Sequence, residues 1–280
     1  MRAPFVDEPA VAQGQQNHKP SSYLTYHEIV EGNPEYLYSV SLRQFEEHAR
    51  CLKQLQVAGQ LGNTSHHITF DDGHTSQYIH PLPVLQNLSL KAIFFITVGW
   101  TEKRYGYMSW SQLAELIQCG HEVQSHGWSH ALLTQCSKQA LEAELVRSKC
   151  ELEDHLGVSV NTISMPAGRW NKRVLEACKK AGYERVFTSD PWMSPTTRTG
   201  MQVTGRWMAT RNLLAERIPL LLEGKGAAMW LLRAGHLGKA TAKALLGENA
   251  YGAIWRRVAR KKKSLEIPLE PSSFPGETKD

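Results

Sequence analysis

The sequence lacks several patterns that would assign a protein class at once. Its five cysteines form no CxxC pair, so neither a disulfide framework nor a thiolate metal site is indicated, and reduced structural thiols are expected. No run approaches the ~18 apolar residues of a membrane span, and the N-terminus has no apolar signal region. The net charge of +5 is well short of a nucleic-acid-binding signature. These absences favour a globular, cytoplasmic enzyme.

The basic residues are concentrated near the C-terminus, where most of residues 256–263 are Arg or Lys. Ile254 and Trp255 place apolar side chains on the other face of this segment. Residues 251–263 are therefore a candidate for peripheral contact with anionic lipid. The alternative, which the pattern favours, is a solvated helix end.

The chain divides into three parts by pattern. Residues 1–21 are rich in Gln, Pro, Asn and Ser and are expected to form a flexible arm. Residues 22–210 alternate short β-like runs with amphipathic helices, which predicts an α/β fold. Residues 211–280 are expected to form a C-terminal helical extension and tail. The β-like runs are Tyr23–Ile29, His66–Phe70, Ala92–Val98, Glu122–Ser125, Thr162–Met165, Arg185–Thr188 and Gln202–Thr204.

Seven such runs favour a barrel of parallel strands with helices outside. Three of the runs end in chemically active residues. These are Asp71 and Asp72 in TFDDG, His126 and His130 in SHGWSH, and the segment Ser164–Gly168. Because functional residues gather at the carboxyl ends of parallel strands, we expect these segments to meet.

The paired aspartates are an electrostatic problem, because adjacent carboxylates at a strand end repel each other. A bound cation would relieve this repulsion. His126 and His130 are four residues apart and share one face of a helical turn. One Asp with two His is a common ligand set for Zn²⁺ or a similar ion. The alternative for Asp72-Gly73 is a solvated turn.

The sequence resembles the polysaccharide deacetylase family, carbohydrate esterase family four, over about residues 65–190. The resemblance is carried by TFDDG, by MSWSQLAELIQCGHEVQSHGWSH and by AGYERVFTS. The segment YLTYHEIVEGNPEYLYSVSLRQFEEHARCLKQL also resembles a branch linked to exopolysaccharide biosynthesis. The resemblance implies a deformed (β/α) barrel of about seven strands and a hydrolase that removes N-acetyl groups from amino sugars.

The resemblance also implies residue roles. Asp71 corresponds to the catalytic base, and Asp72, His126 and His130 correspond to the metal ligands. The metal is expected to be Zn²⁺, with Co²⁺, Ni²⁺, Mn²⁺ and Fe²⁺ as alternatives, and to activate a bound water for attack on the acetyl carbonyl. The backbone N–H of Ala167 corresponds to the donor that stabilises the oxyanion.

Two family features are missing from the sequence. The third motif usually carries an arginine that orients the catalytic aspartate, and that position holds Ser164. Arg169 and Arg206 are candidates to replace its charge. The late Leu-x-His motif that supplies the general acid is also absent. His27, near the end of the first predicted strand, is the preferred candidate for this acid, with His74 and His236 as alternatives.

The sequence therefore predicts a metal-dependent N-deacetylase that acts on a glycan or glycan precursor. Another carbon–nitrogen amide hydrolase on the same scaffold is the first alternative, because of the two missing features. A glycan-binding protein without activity is the second alternative, and the intact first two motifs weigh against it. A carbohydrate bearing N-acetyl groups is the expected partner, and nucleic acid is not expected.

Overall fold

The computed structural model describes residues 23–61, 66–193 and 195–223. The predicted N-terminal arm, His236 and residues 251–263 lie outside these ranges. No helix in the described ranges is both long and apolar enough to cross a bilayer. The strands are β1 (Leu24–Tyr26), β2 (Glu28–Val30), β3 (Ser39–Ser41), β4 (His66–Phe70), β5 (Lys91–Ile96), β6 (Glu122–Ser125), β7 (Thr162–Ser164), β8 (Arg185–Phe187), β9 (Thr196–Arg198), β10 (Met201–Thr204) and β11 (Trp207–Met208).

Nine of these strands form one curled sheet in the order β11-β1-β4-β5-β6-β7-β8-β10-β9. Every pairing in it is parallel except that of β9 with β10. The strands β2 and β3 form a separate parallel pair. This arrangement confirms the predicted deformed (β/α) barrel, and all seven predicted strand regions contribute to the main sheet.

Helices connect the parallel strands, and polar caps in the sequence set where four of them begin, including the helix that starts after Ser109. The helices are α1 (Leu42–Val57), α2 (Ser76–Ile79), α3 (Pro81–Asn87), α4 (Trp110–Gln118), α5 (Lys138–Leu156), α6 (Lys172–Lys180) and α7 (Ile218–Glu223). The side chains of Ser41, Ser137 and Asn171 accept hydrogen bonds from backbone N–H groups in the first turns of α1, α5 and α6. Gly157 ends α5 in the left-handed conformation that glycine adopts without strain.

The core lies between the sheet and the helices and contains a row of aromatic rings. Phe70 on β4 and Phe94 on β5 are stacked with ring centroids 4.7 Å apart. The Phe45 ring of α1 lies 5.1 Å from that of Tyr26. Burying side chains of this size is the main favourable contribution to the stability of such a barrel.

The structure corrects two details of the predicted strands. The run Tyr23–Ile29 is not one strand, because the chain breaks at His27 between β1 and β2. Strands β3, β9 and β11 were not predicted, and β9 and β11 are the two outermost strands of the main sheet. The break matters for function because it places His27 at the carboxyl end of β1.

The boundary between barrel and extension at residue 210 stays a prediction. Within the described residues, the segment that follows it is tied to α1. Gln44 Nε2 donates to the carbonyl oxygens of Thr210 and Leu213 at 3.2 and 2.5 Å. The buried His48 side chain forms a hydrogen bond with the Leu213 carbonyl at 2.9 Å.

Candidate active site

The carboxyl ends of the parallel strands bring the predicted site residues together. Asp71 and Asp72 follow β4, His126 follows β6, and Ser164 is the last residue of β7. Hydrogen bonds fix the backbone at these points: Asp71 N–H donates to the Tyr26 carbonyl, and His126 N–H donates to the Ile96 carbonyl. Each functional segment is therefore anchored to a neighbouring strand.

Asp72, His126 and His130 form a cluster that fits a metal ion. One ligand atom from each residue lies within 4.8 Å of the other two. Asp72 Oδ1 is 3.4 Å from Nε2 of His126 and 3.4 Å from Nε2 of His130. Ligands placed tetrahedrally at about 2.1 Å from a central ion stand about 3.4 Å apart, so these separations suit Zn²⁺ or an ion of similar size.

The hydrogen bonds around the cluster leave its ligand atoms available. His126 Nδ1–H donates to the Ser164 carbonyl at 2.9 Å, which leaves Nε2 facing Asp72. Asp72 Oδ1 is buried and has no hydrogen-bond partner among the described residues. A buried carboxylate oxygen without a donor is costly. A cation at this point would satisfy it.

Asp71 is held by Arg206, a residue 135 positions later in the sequence. The guanidinium donates to both carboxylate oxygens at 2.7 Å. Arg206 is fully buried, and Asp71 is 3% exposed. Ser164 occupies the position where the third family motif usually has an arginine. Arg206 supplies a guanidinium beside Asp71 from elsewhere in the chain.

The other N–H groups of Arg206 are also satisfied. They donate to the Thr69 hydroxyl at 3.1 Å, the Ser164 hydroxyl at 2.7 Å and the Thr188 carbonyl at 3.3 Å. The Ser164 hydroxyl in turn donates to Asp71 Oδ2 at 3.1 Å. All five donors of the guanidinium are therefore used, and the small Ser164 side chain shares the contact with Asp71.

Gly205 explains how Arg206 reaches the interior. The chain passes from β10 to β11 at Gly205 and Arg206, across the gap between two ends of the sheet. A Cβ atom on Gly205 would lie 1.6 Å from the Asp190 carbonyl oxygen. Only glycine allows this close approach.

The electrostatics of the site keep Asp71 ionised. Burial by itself would raise the pKa of Asp71, but Arg206 and His126 outweigh it and hold the pKa well below its usual range. Burial likewise opposes ionisation of Asp72, whose pKa is lowered by His126. Both carboxylates therefore remain negative near the cation site.

His27 lies beside this cluster, as the sequence predicted for a general acid. Burial lowers its pKa, while the charges of Asp71 and Asp72 oppose that shift. His27 Nδ1 is buried without a hydrogen-bond partner among the described residues. The imidazole is therefore close to both carboxylates and is not tied into a structural network through Nδ1.

Three site residues adopt strained backbone conformations. Asp72, His130 and Ala167 have φ angles of 79°, 62° and 54°, in the region that residues other than glycine rarely occupy. Such strain persists where the surrounding structure enforces it, and it is often found at functional sites. Ala167 is exposed in the turn after β7.

The remaining sequence candidates occupy different settings. His74 Nδ1 lies 2.8 Å from the Ser76 hydroxyl, and its ring packs against Tyr107. His236 lies outside the described residues. Two site features had not been foreseen in the sequence: the pairing of Ser164 with Arg206, and Glu144, which contacts the loop between the two histidines.

Aromatic side chains surround the mouth of the site. Trp100 stacks on His130 with ring centroids 5.5 Å apart and lies 4.7 Å from the Tyr107 ring. The Arg104 guanidinium covers the Trp100 ring at 4.4 Å. After β1, the ring centroids of Tyr38 and His27 lie 5.8 Å apart. Aromatic faces of this kind suit the apolar faces of sugar rings.

Comparison with known proteins finds similarity to the same family. The sequence model of the polysaccharide deacetylase family matches residues 58–186. The chain is 29% identical over 182 residues to YxkH of Bacillus subtilis, covering 60% of this chain and 64% of the relative. It is also 29% identical over 134 residues to a peptidoglycan-N-acetylglucosamine deacetylase of Bacillus cereus, covering 46% of this chain and 60% of the relative. The chain thus spans less than two thirds of the length of these relatives.

Solved structures support the fold. The Streptococcus pyogenes deacetylase PplD, in complex with acetate, superposes with a TM-score of 0.60 at 23% identity, covering 73% of this chain and 98% of that one. IcaB from Ammonifex degensii gives a TM-score of 0.57 at 22% identity, covering 73% and 97%. The matched family model and the Bacillus cereus relative are named as deacetylases, which is the class of enzyme that the sequence predicts. Residues 58–186 match the polysaccharide deacetylase family, and the sequence motifs and the barrel agree with that match.

Proposed function

We propose that this protein is a metal-dependent hydrolase that removes N-acetyl groups from amino sugars of a glycan or glycan precursor. The observation that carries the proposal is the position of Asp71. Its carboxylate is ionised, fixed by Arg206 and adjacent in sequence to Asp72, which forms the cluster with His126 and His130. A base held beside a cation site is the arrangement that amide hydrolysis by water requires.

Asp72, His126 and His130 are the residues that would hold the cation. When bound, the cation supplies Lewis-acid chemistry, which polarises the acetyl carbonyl and makes water more acidic. Asp71 accepts the proton from the water that attacks the carbonyl carbon. Arg206 and Ser164 keep the Asp71 carboxylate in one orientation, so little reorganisation is needed during the reaction.

The remaining steps use His27 and Ala167. As the water oxygen bonds to the carbonyl carbon, negative charge develops on the carbonyl oxygen, and the Ala167 N–H donates to it. The carbon–nitrogen bond then breaks, and the leaving nitrogen takes a proton from the protonated form of His27, which the charges of Asp71 and Asp72 favour against burial. The products are acetate and a free amino sugar.

The choice of an N-acetylated glycan rests on two kinds of support. The named relative from Bacillus cereus acts on peptidoglycan N-acetylglucosamine, and aromatic rings lie near the site, with Trp100 beside His130 and Tyr38 beside His27. The amide-hydrolase alternative rests on the missing arginine and the missing acid. The contacts between Arg206 and Asp71 support Arg206 as the substitute for the arginine, and the interaction of His27 with both aspartates supports His27 as the acid.

The test is acetate release from N-acetylglucosamine oligomers, measured with metal content on the same samples. Wild type should bind about one divalent ion and release acetate, and a chelator should abolish release until Zn²⁺ is restored. Asp71→Asn should bind metal and release no acetate, whereas Asp72→Ala should lose both. Asp154→Asn, on an exposed aspartate of α5, is the matched control and should behave as wild type.

Two outcomes would contradict the proposal. Wild-type protein that binds no divalent ion would remove the metal site. Protein that binds metal but releases acetate from no N-acetylated sugar would favour hydrolysis of another amide.

A further inference from the structure

The loop from His126 to His130 carries two of the three cluster residues, so its conformation decides where their imidazoles lie. On one side, the loop is bonded to the 3₁₀ turn Val98–Trp100. Val98 N–H donates to the Gly127 carbonyl at 3.1 Å, and Gly99 N–H donates to the Trp128 carbonyl at 2.8 Å. This side fixes the carbonyl groups of the loop and leaves its N–H groups to be satisfied elsewhere.

A single carboxylate on α5 satisfies those N–H groups. Glu144 Oε2 accepts from the backbone N–H groups of Trp128 and Ser129, each at 2.9 Å. Its Oε1 accepts from the Ser129 hydroxyl at 2.5 Å. Glu144 is 9% exposed, so these charge-assisted bonds form largely out of contact with water.

One turn further along α5, Ser148 supports the start of the same loop. Its hydroxyl accepts from the Ser125 hydroxyl at 3.0 Å, and Ser125 Oγ accepts from Gly127 N–H at 3.1 Å. Glu144 and Ser148 lie four residues apart on the buried face of α5. The helix therefore contacts the loop through two successive polar side chains.

The bond from Ser129 N–H lies immediately before the strained residue His130. Its φ of 62° is costly for a residue other than glycine, and such a conformation persists only when neighbouring contacts enforce it. Without Glu144, the N–H groups of Trp128 and Ser129 would be unsatisfied, and the two peptides before Ser129 would be held only through their carbonyl groups, by Val98 and Gly99. The imidazole of His130 would then leave the position opposite Asp72.

We propose that Glu144 is a positioning residue that holds His126 and His130 in the geometry needed to bind a divalent cation. It touches neither imidazole and acts through the backbone of the loop. The inference rests on the metal site of the proposed function. It adds that a residue outside the cluster, Glu144, is needed for tight metal binding. Outer residues that orient metal ligands typically contribute 10–100-fold to affinity.

The test is Zn²⁺ affinity of the metal-free protein, measured by competition with a chromophoric chelator and without substrate. Glu144→Ala should bind Zn²⁺ about 10–100-fold more weakly than wild type. Glu144→Gln keeps an oxygen for the two N–H groups and an amide for Ser129 Oγ, so it should stay within about fivefold of wild type. Glu142→Ala, which removes an exposed carboxylate from the same helix, is the control and should not change affinity.

A second measurement follows the loop directly in the metal-free protein. Amide hydrogen exchange at Trp128 and Ser129 should be slow in wild type and in Glu144→Gln, and at least tenfold faster in Glu144→Ala. Circular dichroism shows whether each variant is folded. If Glu144→Ala does not fold, Glu144→Gln can still be compared with wild type. Unchanged affinity and exchange in a folded Glu144→Ala variant would refute the proposal, as would equal losses in the Ala and Gln variants. Wild type that binds no Zn²⁺ but shows the exchange difference would overturn the metal site and leave the clamping of the loop established.

Discussion

Removing the guanidinium of Arg206 should destabilise the fold sharply, because it leaves a charge without its partner. Asp71 is 3% exposed in the wild type. In Arg206→Met, the Ser164 hydroxyl would be the one remaining donor to Asp71 among those described above. Breaking one half of a buried ion pair costs about 3–5 kcal/mol. We expect a loss of this size in the free energy of unfolding, measured by urea denaturation and tryptophan fluorescence in the presence of a chelator.

A double-mutant cycle separates the interaction energy of Asp71 and Arg206 from the loss of packing around Arg206. Asp71→Asn combined with Arg206→Met removes both charges, and it should be more stable than Arg206→Met alone by at least about 2 kcal/mol. Arg43→Met is the control, since its ion pair with Glu47 is exposed and is worth less than about 0.5 kcal/mol. A loss below about 1 kcal/mol for Arg206→Met, or additive losses in the cycle, would refute the reasoning.

The pH dependence of this loss has a definite sign. In the wild type, the pKa of Asp71 is held below its unfolded value, so the stability it contributes is lost as pH falls below about 4. In Arg206→Met, burial dominates and raises the pKa above the unfolded value, so acid stabilises the variant instead. The difference in stability between the two proteins should therefore shrink between pH 7 and pH 4, and a constant difference would contradict this account.

Three further predictions concern other residues. His27→Gln should reduce acetate release by at least about 100-fold while Zn²⁺ affinity stays within about threefold; full activity would place the acid elsewhere. Gly205→Ala should lower the unfolding midpoint strongly because its Cβ would overlap the Asp190 carbonyl, whereas Gly32→Ala, where no atom lies within 4 Å, should not; equal midpoints would argue against the close approach. Burial, with help from nearby cations, lowers the pKa of His121 to about 4. Wild type should therefore lose stability as pH falls from about 6.5 to 4, and His121→Phe should lose less over that range, by on the order of 1 kcal/mol after solvent screening; identical pH profiles of urea unfolding would contradict this.

The site residues could be predicted from the sequence where chemically active residues directly follow a β-like run. Asp71, Asp72, His126 and His130 follow β-like runs within a few residues, so the parallel sheet brought them together as expected. The helix starts at Ser41, Ser137 and Asn171 were predictable for the same reason, because a cap and its helix are local.

Long-range partners could not be chosen from the sequence in the same way. Arg169 and Arg206 were both candidates to face Asp71, and only the folded chain shows Arg206 reaching it through the narrow passage at Gly205. Glu144 gave no signal at all, because a glutamate within an amphipathic helix is ordinarily solvated. Its inward direction depends on how α5 packs against the histidine loop.

The crossing at Gly205 also has a consequence for the order in which the protein can mature during synthesis. His27 precedes nearly all of the barrel, and Arg206 follows β10, so the site is assembled from both ends of the domain. A nascent chain that has emerged only through β8 already contains both aspartates and both histidines, yet it has no counter-charge for Asp71. Domains fold as units during translation, and here the acidic centre of the barrel is neutralised by one of the last residues of the sheet to leave the ribosome.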